Sequence, residues 1–324
     1  MAITNTGYSS WKGKLLSPWT RWMVIAKMGI RLKYQEKQVR WIIRLSWAAV
    51  LYSMAIFWAI SWMMRSNGTE SSILLEILRA QGFSGDLINK LQTDPESVQN
   101  GIWNFVVFNY ICSSQMFFSM LISGMVGANL ISNDSKGNSF LLYFSRPVTP
   151  FEYLLGKVST VSFFIFCTTL FPSLTMYFLS MGIAQSFDVF LITYPIIFKI
   201  ILASLVIAIP TSLFVLMISS LFKQARFPMI TWYFMLLVGL AISPFFTYEM
   251  KSDNLAVLCN IPANYKNLII HIFDIPGSFG GDINIKKLNP ASNVTAQFSF
   301  VSLSILSAIA YFVLLRKIKA PLKV

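Results

Sequence analysis

Charge is scarce in this sequence. Only 12% of the residues are Asp, Glu, Lys or Arg, and just 13 of the 324 are acidic. A soluble globular chain carries about a quarter charged residues, so these cannot cover a water-facing surface of ordinary extent. Histidine occurs once, as His271. A lone histidine builds no His-based metal site or relay, and Asp274 three residues on is its nearest acidic companion. The three cysteines, Cys112, Cys167 and Cys259, show neither a disulfide framework nor a metal-spaced pair. HExxH, GxSxG and CxxC patterns are absent. A phosphate-cradling loop is missing too. Gly156-Lys157 is followed by Val158 rather than Ser or Thr, and no glycine stands five residues before Gly156. The first 40 residues hold eight Lys or Arg and no continuous apolar core, so no cleavable signal peptide is expected.

What the sequence has in abundance is apolar surface. Hydrophobic residues make up 55% of it, and Phe alone occurs 28 times. The bilayer is the solvent that accepts such a surface. Six runs are long enough to cross a hydrocarbon core about 30 Å thick. They are Trp41–Met64, Ile102–Ile131, Leu154–Met181, Phe190–Phe222, Phe227–Tyr248 and Phe298–Leu315. Trp41 at one end of the first run and Trp58 and Trp62 at the other suit the two aromatic belts. Pro172, Pro210 and Pro244 interrupt three runs, as kinks or as prolines tolerated because neighbouring groups rescue the freed backbone. No acidic residue sits at a span centre, whereas ion-coupled carriers usually keep a buried carboxylate there.

The net charge of +13 is unevenly placed. With the N-terminus inside, residues 1–44, 131–157, the Lys223–Arg226 link and the C-terminal tail together carry +15. The loops 65–103, 183–199 and 249–297 together carry −2. Positive loops face the cytoplasm. The expected fold is therefore an all-α integral membrane protein with six spans and both termini cytoplasmic, in a plasma membrane or bacterial inner membrane. This placement, not nucleic acid, accounts for the basic character.

Three stretches outside the spans carry pattern. Trp19, Met23, Ala26, Ile30 and Tyr34 recur at helical steps, with Arg21, Lys27, Arg31 and Lys37 largely elsewhere. Residues 1–40 thus form a cytoplasmic segment with a basic amphipathic helix on the inner leaflet. The external loop 65–101 suggests two short helices, 70–79 and 86–91, around a Gly82 to Gly85 turn. In the external loop 249–297, Asn267–Asp274 is apolar but too short to cross, which fits a re-entrant or interfacial segment.

The richest segment, 132–153, links the second and third spans. It passes from Asp134, Lys136 and Gly137 through Asn138-Ser-Phe-Leu-Leu-Tyr-Phe144 to Ser145-Arg-Pro147 and Thr149-Pro-Phe-Glu-Tyr-Leu-Leu-Gly-Lys157. Ser139–Phe144 reads as one or two amphipathic helical turns, and Arg146-Pro147 breaks the chain. Thr149 as cap, Pro150 at the first helical position and Glu152 three after the cap form a capping-box signature.

This segment resembles the permease family of type-2 ABC transporters. Ile131, Asp134, Gly137, Leu141, Ser145-Arg-Pro147 and Glu152-Tyr-Leu-Leu-Gly-Lys157 carry the resemblance, and the six-span plan and basic pre-span helix are compatible with it. The resemblance implies a type-2 ABC exporter-like fold and a non-catalytic permease subunit, with ATP and Mg bound by two separate ATPase subunits and no cofactor in this chain. It implies a second permease copy or a paralogue. Asn138, Ser139, Phe140, Leu141, Leu142, Tyr143 and Phe144 would form the coupling helix that docks on the ATPase, framed by Asp134, Arg146 and Glu152. Arg31, Lys33 and Lys37 would make a second ATPase contact. The first external loop, about 39 residues, departs from the short loop of many members. Two rivals belong to other classes: a non-transporting scaffold that transmits motion, and a secondary carrier or channel.

Overall fold

The computed structural model describes residues 20–65, 95–137, 148–184, 187–224, 226–278 and 294–319. Two expected features, the helices at 70–79 and 86–91 and the helical turns at Ser139–Phe144, lie outside the described residues. Among the described residues the chain forms thirteen α-helices, one π-helical turn and no strand. We number the helices α1 (Arg21–Tyr34), α2 (Lys37–Arg65), α3 (Pro95–Tyr110), α4 (Met116–Lys136), α5 (Pro150–Thr168), α6 (Leu170–Ala184), α7 (Phe187–Thr193), α8 (Pro195–Leu221), α9 (Arg226–Tyr248), α10 (Asp253–Cys259), α11 (Ile261–Ile272), α12 (Ile275–Ser278) and α13 (Ala296–Lys319).

Among the described residues, five stretches are long and apolar enough to cross a membrane: Asn100–Lys136, Pro150–Gly182, Phe190–Leu221, Arg226–Tyr248 and Ala296–Lys319. They coincide with the last five runs read from hydropathy. The first run falls within α2, whose 29 residues extend about 43 Å at 1.5 Å per residue.

At the centre of the bundle, α4, α5 and α8 pack on one another. Lipid supplies no hydrophobic force between helices, so small residues and hydroxyl groups set the contacts. Gly127 of α4 faces Val215 of α8 and Val161 of α5, where an added Cβ would stand 2.5 Å from a Val215 methyl. Ser219 of α8 inserts into α4: its Oγ accepts from the amides of Ile131 and Ser132 and donates to the Ala128 carbonyl. Ser162 and Ser212 meet at 3.0 Å between α5 and α8. Outside this trio, α9 is held to α4 by two donors. Trp232 Nε1 reaches the Met120 carbonyl at 3.1 Å and the Tyr233 hydroxyl the Leu121 carbonyl at 2.6 Å.

Two departures from straight helices have local causes. The stretch Pro150–Gly182 breaks at Thr169, between α5 and α6. Pro172 has no amide hydrogen to give the Thr168 carbonyl, and its ring crowds that turn. Pro210 and Pro244 stay inside continuous helices. The stretch Asn100–Lys136 has a π turn at Ile111–Gln115. There Ser113 and Ser114 bond back to the Asn109 and Tyr110 carbonyls, and buried Gln115 donates across to the Ser46 carbonyl of α2 at 3.2 Å.

Between α9 and α13 the chain folds back into the bundle. α10 and α11 make a hairpin whose tip, Cys259–Asn260, rests on Gly239 of α9. Gly239 lies nine residues before the end of α9, or about 13 Å along it. An added Cβ there would meet the Cys259 carbonyl oxygen at 2.4 Å, so only glycine admits this approach. The apolar segment expected at Asn267–Asp274 is thus the second half of α11, which begins six residues earlier. Asn260 starts it, accepting from the Ala263 amide at 3.2 Å, and Pro262 occupies its first turn. Lys251 and Asp274, with φ of 49° and 51°, turn the chain at the ends of α9 and α11.

Candidate functional site

Of the residues that carry the family resemblance, Ile131, Asp134, Gly137 and Glu152–Lys157 lie where α4 ends and α5 begins. α4 closes at Lys136, with the Gly137 amide on the Asn133 carbonyl at 3.0 Å. The capping box at the start of α5 is formed. Glu152 donates its amide to Thr149 Oγ1 at 3.2 Å, and Thr149 donates its own to Glu152 Oε2 at 2.7 Å. Both helix ends bracketing residues 138–147 are therefore fixed by their own local chemistry.

Behind the caps lies a buried polar knot. Asp134 Oδ2 accepts from Lys157 Nζ at 2.7 Å and from the Tyr153 hydroxyl at 2.6 Å. Lys157 also donates to the Leu130 carbonyl at 3.0 Å, and its ammonium stands 5.3 Å from the Tyr153 ring centroid, within cation–π range. Tyr153 is fully buried and Lys157 only 7% exposed. Tyr153 and Lys157 lie one turn apart on the same face of α5, so a single carboxylate on α4 takes both.

The glycine between them has a separate task. Gly156 faces α1, where an added Cβ would stand 2.8 Å from Ile25 Cβ and 2.9 Å from the Trp22 carbonyl oxygen. One turn further, Gly29 of α1 abuts Thr160 of α5. Thr160 Oγ1 donates to the Gly156 carbonyl at 2.9 Å and reaches the Ala26 carbonyl at 3.4 Å. Two small residues, one on each helix, let α1 lie along α5.

The face of α1 that packs on α5 overlaps its apolar stripe only in part. Ala26, Gly29 and Lys33 are the buried positions. Ala26 is common to both sets, and Ile30 is half-buried. Met23 and Tyr34, which belong to the stripe expected to lie on the inner leaflet, are 50% and 54% exposed. Hydropathy gave glycine no weight, yet glycine decides which side can approach α5. Trp19 lies outside the described residues.

Of the residues expected to meet an ATPase, Asn138, Ser139, Phe140, Leu141, Leu142, Tyr143, Phe144 and Arg146 lie outside the described residues. Asp134 is in the buried knot, and Glu152 is in the cap. Arg31 and Lys37 are exposed, whereas Lys33 is buried and paired with Glu36 at 2.8 Å. The sequence reading passed over Tyr153, Gly156 and Lys157 as site residues. The signal was present in the four-residue step from Tyr153 to Lys157, with Asp134 as the nearest acidic residue on the preceding helix.

At the other end of the bundle, α11 is tied in by side-chain amides and hydroxyls. Thr211 of α8 donates to the Tyr265 hydroxyl at 3.0 Å. Asn264 donates to Ser302 at 2.9 Å, and Asn267 to Ser299 at 2.9 Å and to the Val294 carbonyl at 3.0 Å. Lys199 of α8 bridges Asn104 of α3 at 3.0 Å and the Phe273 carbonyl at 3.2 Å. His271 is exposed. No group of three His, Cys, Asp or Glu with metal-site geometry occurs among the described residues.

No family model matches this chain, and no curated protein does.

Proposed function

We propose that this chain is the membrane-spanning permease subunit of an ATP-driven type-2 ABC transporter, an exporter with six spans and both termini in the cytoplasm. Two ATPase subunits hold ATP and Mg and dock on Asn138–Phe144. A second copy or a paralogue completes the pathway, in a bacterial inner or other plasma membrane. The chain makes and breaks no bonds itself.

The observation that carries this reading is the junction at Asp134, Tyr153, Gly156 and Lys157. The motif residues behind Asn138–Phe144 join three helices. Asp134 binds α4 to α5 through Tyr153 and Lys157, and Gly156 seats α1 on α5. Force applied to the segment between the two caps passes to all three helices, because packed interiors transmit displacement rather than absorb it. A partner that closes on ATP and pushes at that segment fits such a linkage. In support of the six-span plan, the positive excess falls on one side when α2 is counted as a crossing.

The test is recovery of partners. The tagged chain, extracted in mild detergent from its host, is expected to bring down a Walker-motif ATPase. A variant with Asn138–Phe144 replaced by a Gly/Ser linker should lose it while remaining monodisperse. If no ATPase accompanies the native chain under several gentle conditions, the ABC reading fails and a carrier, channel or scaffold takes its place.

A further inference from the structure

A cleft of about 530 Å³ opens between α1, α2 and the α5–α6 break. Its walls are almost entirely apolar. Trp47 of α2 crosses it to donate its indole N–H to the Cys167 carbonyl at 3.2 Å, which removes the one strong donor of that side chain from the cavity. Phe163 stands before the break at Thr169 and Phe171 after it, so the interruption set by Pro172 also shapes the inner wall. One edge differs in character. Lys27 and Arg31, four residues apart on α1, line it, both are exposed, and neither has an ion-pair partner among the described residues.

Two cations beside an aromatic-walled cleft ask for a ligand that is anionic at one end and apolar along its length. A soluble anion would leave the apolar walls unmatched. A peptide segment would bring backbone donors and acceptors that these walls cannot satisfy. We propose that the cleft is a binding site for an acidic phospholipid, with its phosphate held by Lys27 and Arg31 and an acyl chain laid along Trp47, Phe163 and Phe171. The Lys and Arg stems add apolar contact below the phosphate, and their heads stay at headgroup level. An occupying lipid would brace α1 against α2 and α5, the helices around the junction. The proposal goes beyond the transporter reading and depends only on the chain lying in a membrane.

The test uses the full chain, with any subunits that accompany it, in phosphatidylcholine vesicles containing phosphatidylglycerol. Bromine on the acyl chains of one lipid or the other quenches nearby tryptophan. The difference between native protein and Trp47→Phe isolates the cleft signal. A cation near an anionic headgroup contributes about fivefold, so with two of them Trp47 should prefer phosphatidylglycerol to phosphatidylcholine by roughly 25-fold, read from quenching by the two brominated lipids at equal mole fraction. In Lys27→Ala/Arg31→Ala that preference should fall to near unity. Arg316→Ala/Lys317→Ala, which removes two exposed cations elsewhere, should retain it. Equal quenching by the two lipids in the native protein, or equal loss in both double variants, overturns the proposal. Should the cleft variant fail to fold, salt decides on the native protein. Exposed cation–phosphate contacts are screened, so the preference should shrink at high ionic strength, and a preference indifferent to salt also overturns the assignment.

Discussion

Asp134 concentrates two donors on one carboxylate oxygen, and both donors come from buried residues. The side chains of Lys157 and Asp134 are 8% and 16% exposed. A buried ion pair contributes little over an apolar pair of the same volume, but losing one partner strands the other charge. Asp134→Ala should therefore destabilise the protein by about 3 kcal/mol, read as a lowered unfolding midpoint in detergent. Asp134→Leu/Lys157→Met removes both charges together and should regain most of that loss. If the single and double variants fall equally, the pair is not what holds α4 to α5. Tyr153→Phe leaves the ion pair intact and should cost about 2 kcal/mol, the worth of a bond to a charged acceptor. At this scale the sequence was partly legible. The Thr149–Glu152 cap could be read because it is a local pattern. The knot spans two helices, and an acidic residue 19 and 23 positions before its partners gives no periodic signal.

Helices meet here through glycine, and glycine places them. α1 has large apolar residues on several sides, and Met23, Val24, Met28 and Leu32 are all about half exposed. Its docking face is instead the one where Ala26 and Gly29 let the backbone approach α5. Gly156→Leu puts a branched side chain where even a Cβ comes within 2.9 Å of the Trp22 carbonyl oxygen, a backbone atom with no room to yield. Overpacking of this kind typically costs about 1–3 kcal/mol. Here it should lift α1 from α5. The observable is faster tryptic cutting at Lys27 and Arg31 in detergent, with the rest of the bundle resistant. Unchanged cutting would mean that α1 is held by something other than this contact. The same logic explains which elements hydropathy revealed. The last five apolar runs match five helical stretches because length and composition alone define them. The π turn at Ile111–Gln115 stayed hidden, since the bond from Gln115 to the Ser46 carbonyl joins residues on two different helices. The start of α11 was missed for a different reason: the Asn260 cap was readable, but the apolar count began only at Asn267.

For the molecule as a whole, the question is parity. Among the described residues, five stretches meet the length and hydropathy needed to cross, and α2 precedes them all. If α2 also crosses, Lys37 at its start and Lys317 near the end of α13 face the same compartment. If α2 only lies against the bundle, five crossings put them on opposite sides. The charge pattern argues for the even count. Residues 1–44 carry nine of the 26 basic residues, and placing them outside would set the most basic segment against the positive-inside tendency. Cysteine mapping with a membrane-impermeant maleimide separates the cases. In a Cys259→Ser background, Lys37→Cys, Lys223→Cys and Lys317→Cys are all at exposed positions and should stay unlabelled in intact cells. They should react once the membrane is opened. Met250→Cys, exposed at the far end of α9, should react in intact cells. Labelling of Lys37→Cys from outside, with Lys317→Cys still protected, would reduce the fold to five crossings. It would also put α1 and the Asn138–Phe144 segment on opposite faces of the membrane, where no single cytoplasmic ATPase could touch both. Because α1 packs on Gly156 of α5, just inside the cap that follows that segment, such an outcome would contradict the observed packing as well as the proposed function.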